Sequence, residues 1–411
     1  MLLPPFLYYI LKNSIKFNYT YFMKKSISTF LKHTAQDKIN RSANPAVVRA
    51  STIFFKSMQE LLKHQKVVAK NKKVDFYDYG RAGSQTSIKL QEMIAELEKA
   101  HHVFLTPSGF GAVALAFMSV CRPGDEVLIT DSVYYPTRMI SSNLLKEFNI
   151  KTQFYDPDNL NDLKNKITQK TKMIFVENPG SNTFEFQDLS KIIKLAKKNN
   201  IITALDNTWG TPLYLRPLDL GFDISISSAT KYLSGHSDVM AGTLAVNKKI
   251  FPKVNFYNRV SGYRISPDDA YMVIRGLRTL DIRLEKHQQN TQKIINFLKT
   301  NKKIKEILYP YKKGSKNYKN WKKYYSGATG LMSVIIESKN KNSVFKFINS
   351  LELFGIGFSW GGFESLVVYQ DIERVHKKYI KKNNHIVRFH IGLEDPKDII
   401  ADLKNSLRHI K

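Results

Sequence analysis

From residue 87 onward, short apolar runs alternate with amphipathic stretches, and this rhythm predicts the fold. Ser87 is placed to cap a helix that carries Ile88, Met93, Ile94 and Leu97 on its apolar side. Val103-Phe104-Leu105 reads as a short strand, and the small, apolar stretch from Gly109 to Met118 reads as a helix. Glu126 to Thr130, Lys172 to Val176, Ile201 to Leu205, Phe222 to Ser227 and Thr243 to Val246 read as further strands. Leu189 to Ala196 is expected as a helix between two of them. The result is a series of short apolar strands separated by helical stretches, with 222–226 alternating apolar and polar. Such a series predicts an α/β fold with a mostly parallel sheet covered by helices on both faces. Residues 269–300 read as one long helical region (Ala270, Met272, Ile274, Leu277, Leu280, Ile282, Leu284) bridging into a smaller α/β C-terminal domain. Gly327 to Ile336 and Ser365 to Val368 read as strands of that domain, and Pro396 to Ile410 as a final amphipathic helix. No internal repeat is visible.

Composition changes this picture little. A chain of 411 residues, 43% of them hydrophobic, is long enough for two or three domains with a large core. The 64 basic residues against 35 acidic give a net charge of +29. Such a charge fits nucleic-acid or anionic-membrane binding. The lysines, however, come in scattered pairs, such as Lys248-Lys249, Lys302-Lys303, Lys312-Lys313 and Lys322-Lys323. No aromatic-rich RNA module and no zinc-ligand spacing accompanies them. The charge is therefore read as a compositional bias toward Lys, Asn and Ile, with neither a nucleic-acid nor a membrane partner nor a metal expected. The single cysteine, Cys121, sits among apolar residues and reads as core; one cysteine forms no internal disulfide, which fits a reducing cytoplasm. Met1 to Ile10 is apolar but contains Pro4 and Pro5, lacks a preceding basic region and lacks a small-residue cleavage site. It makes a poor signal peptide and is too short to span a bilayer. Met23-Lys24-Lys25 resembles an ordinary start, so residues 1–22 are expected to be an upstream extension.

The chemistry concentrates around Lys231. Residues 225–238 read Ser-Ile-Ser-Ser-Ala-Thr-Lys-Tyr-Leu-Ser-Gly-His-Ser-Asp. An amine directly after small hydroxyl residues suits an aldehyde cofactor that also carries a phosphate, such as pyridoxal phosphate. Ser228 and Thr230 are the hydroxyls placed for the phosphate. Asp206 ends the apolar run Ile201 to Leu205, and ligands of open α/β sheets bind beyond the carboxyl ends of strands. A carboxylate there can keep a pyridine nitrogen protonated; the same Asp206-Asn207-Thr208 run is also good turn-capping chemistry. Ser108-Gly109-Phe110-Gly111 lies between a strand and a helix, where glycines let N–H groups approach an anion. His236 reads as a packing residue near the site.

Several ordered motifs accompany these residues. They are Tyr79-Gly-Arg81, Pro107-Ser-Gly-Phe110, Glu177-Asn-Pro-Gly-Ser-Asn-Thr183, Asp206-Asn-Thr-Trp209, Ala229-Thr-Lys-Tyr-Leu-Ser-Gly-His-Ser-Asp238, Arg275-Gly-Leu-Arg-Thr-Leu280, Ser359-Trp-Gly-Gly-Phe-Glu-Ser-Leu366 and Arg388-Phe-His-Ile-Gly-Leu-Glu-Asp395. From about Arg41 to the C-terminus the chain resembles the pyridoxal-phosphate enzymes of cysteine and methionine metabolism, a fold-type I group. The wording is most similar to its bacterial cystathionine β-lyases, with Phe110 and Asn182 as departures from their pattern.

The resemblance implies roles. Lys231 would carry the cofactor as a Schiff base and then shuttle protons, and Asp206 would hold the pyridine nitrogen. The Gly109 and Phe110 N–H groups, Ser228 and Thr230 would bind the phosphate. Tyr79 and Arg81 would reach the phosphate of a neighbouring subunit. Tyr134 would stack on the ring, with a part in catalysis. Arg388 would grip the substrate α-carboxylate, with Ser359 and Trp360 beside it. The implied reaction is carbon–sulfur β-elimination of L-cystathionine to homocysteine, pyruvate and ammonia, in trans-sulfuration toward methionine. A cystathionine γ-synthase or γ-lyase, or a cysteine-S-conjugate lyase, would share Lys231, Asp206 and Arg388. A basic nucleic-acid-binding protein on an inactive scaffold is the alternative of another class. The implied assembly is a homo-oligomer, at least a dimer and expected to be a tetramer. Its parts would be an arm over 23–80 contacting the neighbour, a cofactor-binding large domain over 81–280 and a small domain over 281–411.

Overall fold

The computed structural model describes residues 26–410 apart from 38, 40, 377, 379 and 380; the extension expected over 1–22 lies outside the described residues. Two sheets dominate. The larger has seven strands: β1 (His102–Thr106), β2 (Glu126–Thr130), β3 (Lys151–Tyr155), β4 (Thr171–Glu177), β5 (Ile202–Asp206), β6 (Ile224–Ser228) and β7 (Gly242–Val246). Their order is β1-β7-β6-β5-β4-β2-β3. The run from β3 through β2, β4 and β5 to β6 is parallel, and only β7 runs against its neighbours. The mostly parallel sheet is thus as the apolar runs predict.

The two faces follow from the pleat. On β1, Phe104 belongs to one core cluster while Val103 and Leu105 belong to another. The helix Gly109–Val120 (α2) covers the first face, where Phe117 and Ala116 are fully buried. The helix Gln85–Glu98 (α1) covers the second with Leu90, Met93, Ile94 and Leu97. Each such side chain contributes about 1.5–3 kcal/mol of burial. The cap of α1 differs from the expectation. Ser84 is the N-cap, and Ser87 sits three residues inside, completing a reciprocal capping box.

The helical region expected over 269–300 is two helices, Pro267–Leu277 (α3) and Leu280–Leu298 (α4), interrupted at Arg278-Thr279. The smaller sheet follows, with strands β8 (Ile304–Leu308), β9 (Leu331–Glu337), β10 (Gly355–Ile356), β11 (Leu366–Gln370) and β12 (Asn384–His390) in the order β10-β11-β12-β9-β8. The helix Pro396–Leu407 packs on α4 beside it. Its core is continuous with the large sheet: Val334 and Phe389 share a cluster with Val176, Leu205 and Trp209. Strands β3, β8 and β12 lack a clear apolar signature; β3 runs from an exposed Lys151 through three half-buried positions to a buried Tyr155, and β12 carries two histidines and an arginine. Among the described residues no helix is long and apolar enough to cross a membrane.

This topology sets the site. The carboxyl ends of β4, β5 and β6 lie side by side, with Glu177 opposite Asp206 in the register. The antiparallel β7 begins at the same edge, its Gly242 pairing with both Ser228 and Thr106. The loop after β1 is thereby brought next to the end of β6.

Candidate active site

Asp206 comes off the end of β5 and turns back on itself. Its Oδ1 accepts from the Thr208 N–H at 3.0 Å and from the Thr208 hydroxyl at 2.6 Å. The turn-capping role is real, but it uses one oxygen and leaves Oδ2 for another partner. Thr208 Oγ1 in turn accepts the Ser228 N–H at 2.9 Å, tying the ends of β5 and β6 together. Burial raises the Asp206 carboxyl above its ordinary range, while the two Thr208 bonds oppose that rise.

The loop between β1 and α2 approaches Ser228 closely. A Cβ built on Gly109 would stand 2.5 Å from the Ser228 Cβ, so only glycine fits. Ser108 caps α2 by accepting the Gly111 N–H at 3.0 Å. The Gly109 and Phe110 N–H groups, in the first turn, have no acceptor within the helix. The Phe110 side chain itself is exposed. The Thr230 hydroxyl is engaged elsewhere: it donates to the Ala241 carbonyl at 3.2 Å and accepts the Ala241 N–H at 3.0 Å.

Lys231 follows β6 by a short turn. Its Nζ lies 2.5 Å from Ser359 Oγ and 5.5 Å from the centre of the Trp360 ring. Burial, and after it the charge of Arg388, lowers the Lys231 ammonium from 10.5 to about 8. Arg388 stands on β12, donates through Nη2 to the Ser359 carbonyl at 3.2 Å, and is lowered by burial to about 10. Ser359 has φ +76° and Gly361 φ +89°. A Cβ on Gly361 would meet the Tyr232 N at 2.8 Å and the Lys231 carbonyl carbon at 3.0 Å. The turn therefore lies directly on the backbone of the lysine. His390, two residues beyond Arg388 and buried, touches this turn through Nε2, which lies 3.1 Å from both the Gly361 nitrogen and the Gly362 carbonyl oxygen.

Tyr134 lies in the loop after β2, with its N–H donated to Glu177 Oε2 at 2.6 Å. Its phenol is pushed up by burial and by the nearby Glu177 and Asp206, and held down by Arg388. Those partners place the ring among the site residues. His236 is held locally, with Nδ1 2.7 Å from the Ser234 carbonyl.

Tyr79 and Arg81 are the exception. Within one chain they line a separate cavity of about 580 Å³ with His64, Lys73, His102 and Phe251, away from Lys231. Sequence reasoning missed the contributions of Glu177, Gly361 and His390, and saw Thr208 only as part of a capping turn. The Gly361-Gly362 pair after Ser359-Trp360 was the readable signal for a tight approach; nothing in sequence spacing points to His390.

The set fits pyridoxal phosphate. It provides a half-desolvated amine with no carboxylate partner among the described residues, an aspartate oxygen at a strand end and a glycine cradle at a helix N-terminus beside Ser228.

Comparison with known proteins agrees. The family described as Cys/Met metabolism PLP-dependent enzyme matches residues 28–408. The chain belongs to this family, and its cofactor is pyridoxal 5′-phosphate. A cystathionine beta-lyase from Bordetella avium is 34% identical over 93% of this chain and 98% of its own length. An L-alanine/L-glutamate racemase from Wolbachia pipientis is 33% identical over 90% of this chain and 93% of its own. The crystal structure of cystathionine gamma-lyase from Lactobacillus plantarum, complexed with L-serine, superposes with a TM-score of 0.84 at 26% identity, covering 94% of this chain and 99% of that one.

Proposed function

We propose that the chain is a carbon–sulfur β-lyase that cleaves L-cystathionine to homocysteine, pyruvate and ammonia, serving methionine biosynthesis by trans-sulfuration in the cytoplasm. The observation that carries the reading is the Ser359 turn. Its hydroxyl meets the Lys231 amine at 2.5 Å and its carbonyl meets the Arg388 guanidinium at 3.2 Å. An amine for proton transfer and a fork for an α-carboxylate are thus held by one residue.

When bound, pyridoxal phosphate supplies an electron sink conjugated to the substrate α-carbon. Asp206 Oδ2 is free to pair with a ring nitrogen, and Tyr134 to stack on a ring. Arg388 receives the α-carboxylate in bidentate geometry and so fixes which Cα bond faces Lys231. The Lys231 amine, neutral in part because burial lowers its ammonium to about 8, takes the α-proton. Ser359 Oγ keeps the amine in place. The Cβ–S bond then breaks with its electron pair on sulfur, and the Lys231 ammonium gives the proton to that sulfur. The three-carbon remainder takes up water and ends as pyruvate and ammonia.

Curated relatives named cystathionine beta-lyase stand at 33–34% identity, against 26% for the γ-lyase structure, which favours Cβ over Cγ chemistry. A cystathionine γ-synthase or γ-lyase, or a cysteine-S-conjugate lyase, would use the same three residues. The assembled Lys231, Asp206 and Arg388 set speaks against an inactive, nucleic-acid-binding scaffold. A second reading, α-proton exchange on alanine or glutamate, is supported by the Wolbachia relative. Product identification decides among them: purified chain with L-cystathionine yields pyruvate and homocysteine. Formation of 2-oxobutyrate alone would overturn the β-lyase reading. Conversion of L-alanine or L-glutamate to the D-form without pyruvate from cystathionine would favour the second.

We also propose a homo-oligomer, at least a dimer and in its full form a tetramer, in which Tyr79 and Arg81 serve the phosphate site of the neighbouring subunit. Their place in a cavity of their own chain that Lys231 does not line supports this.

A further inference from the structure

Glu177 ends β4 as Asp206 ends β5, and the two are register partners on parallel strands. Paired residues of adjacent strands project to the same face, so two carboxyl groups meet at the edge where the cofactor is held. The groups that act most on Glu177 are Asp206 from β5, Tyr134 from the loop after β2, Arg374 from the segment after β11 and Glu185 from the loop after β4. Arg374 is the one cation among them, and it is committed elsewhere: it bonds Glu185 at 2.7 Å and the Ser181 carbonyl at 2.8 Å. Neighbouring buried carboxylates do not both ionise readily, and the one with more donors keeps the charge. Asp206 has two donors from Thr208 on one oxygen. Glu177 accepts the Tyr134 N–H on Oε2. Burial, followed by the charge of Asp206, pushes the Glu177 carboxyl well above its ordinary range.

We propose that Glu177 is a positioning residue that seats Tyr134 by accepting its backbone N–H, beside Asp206 at the same strand edge, and that does so without needing its own charge. The inference rests on the reading of Tyr134 and Asp206 as cofactor-holding residues. Tyr134 needs such a support. It precedes the short helix Tyr135–Met139 and has no side-chain cap bond of its own, so its ring position follows from where its backbone is held. A neutral carboxyl still offers its carbonyl oxygen to an N–H. Glutamine offers the same oxygen without a titratable proton, whereas alanine offers none.

The test uses the cofactor-loaded chain, with Glu177→Gln and Glu177→Ala made alone and combined with Tyr134→Ala. Readouts are cofactor retention on dialysis and the visible circular dichroism of the bound cofactor, with far-ultraviolet dichroism to verify folding. Glu177→Gln is expected to retain cofactor within about twofold of the parent, and Glu177→Ala to bind roughly tenfold more weakly, the loss of the one hydrogen bond that holds the Tyr134 N–H. In the Tyr134→Ala background, Glu177→Ala is expected to add no further loss. A Glu177→Gln variant as weak as Glu177→Ala would mean that the charge is needed, and would overturn the inference. So would an unchanged Glu177→Ala, or a Glu177→Ala loss that persists without Tyr134. Should Glu177→Ala fail to fold, Glu177→Met makes the same comparison. Absence of pyruvate formation by a parent chain that binds cofactor would sink the lyase reading and leave this inference standing.

Discussion

The Lys231 Nζ and the Ser359 Oγ, 128 residues apart in the chain, lie 2.5 Å from each other. Ser359 holds this position with φ +76°, a conformation that costs an ordinary side chain energy. A strained residue that touches the reactive amine on one side and Arg388 on the other is best explained by that double contact. Replacing it with glycine relieves the backbone and removes the hydroxyl. Ser359→Gly is expected to lower kcat about tenfold, the loss of one hydrogen bond to a charged group, with Tm equal to or above the parent. Ser359→Ala should lose the same rate and, unlike glycine, keep the strain. Steady-state kinetics with melting curves check both; full activity in Ser359→Gly would remove the hydroxyl from the site.

Lys231 should titrate early. A depressed ammonium is neutral over a wider range, so its reaction with added pyridoxal phosphate in the cofactor-free chain should rise with pH and level off above about 8. An ordinary lysine would keep gaining rate to beyond pH 10. Arg388→Ala removes a like charge and should move the midpoint upward. Lys231→Ala should lose imine absorbance and turnover together, and retention of both would place the chemistry on another amine.

Gly361 should tolerate no side chain. An added Cβ would meet the backbone of Tyr232 at 2.8 Å and of Lys231 at 3.0 Å, at a φ of +89°. Gly361→Ala should lose about 1–3 kcal/mol of stability and displace the turn from the amine. Gly357→Ala, with nothing within 4 Å of its Cβ, is the control from the same segment. Equal melting temperatures for the two variants would contradict the packing described.

Glu98 makes stability depend on pH. It is fully buried in α1, accepts the Ser225 hydroxyl at 3.0 Å on Oε1, and leaves Oε2 without a hydrogen-bond partner among the described residues. Burial raises its carboxyl from 4.5 to about 8. The folded chain therefore binds a proton that the unfolded chain releases above pH 4.5. Its contribution is whole at low pH and falls by roughly 1.4 kcal/mol per unit as pH rises toward about 8. Glu98→Gln should flatten that slope between pH 5 and 8 in chemical denaturation. A variant with the parent's slope would assign the dependence to another group.

Tyr79 and Arg81 bear on assembly. If they complete a neighbour's phosphate site, Arg81→Ala should weaken cofactor retention although Arg81 lies in a separate cavity of its own chain. Sedimentation of the active protein should show a dimer or larger. An active monomer would contradict the shared site.

Much of this molecule was written in one dimension. The apolar runs of β2, β4, β5, β6 and β7 are legible because strands buried on both faces admit little but apolar and small residues. Lys231, Asp206 and the Gly109 loop are legible because amine, carboxylate and anion-binding chemistry each demand particular residue types at strand ends. Strand β3 and strand β12, half-exposed or rich in polar residues, carry no such signature. The separation of α3 from α4 and the Ser84 cap depend on local hydrogen bonds that periodicity does not encode. Only the tertiary structure decided that Ser359, Gly361 and His390 would close over Lys231, since contacts between distant segments leave no spacing in the chain. It also decided the pairing of Glu177 with Asp206, because strand register is set by the packing of whole elements. Chemistry was local to a few residues; the geometry that makes it usable belongs to the two sheets together.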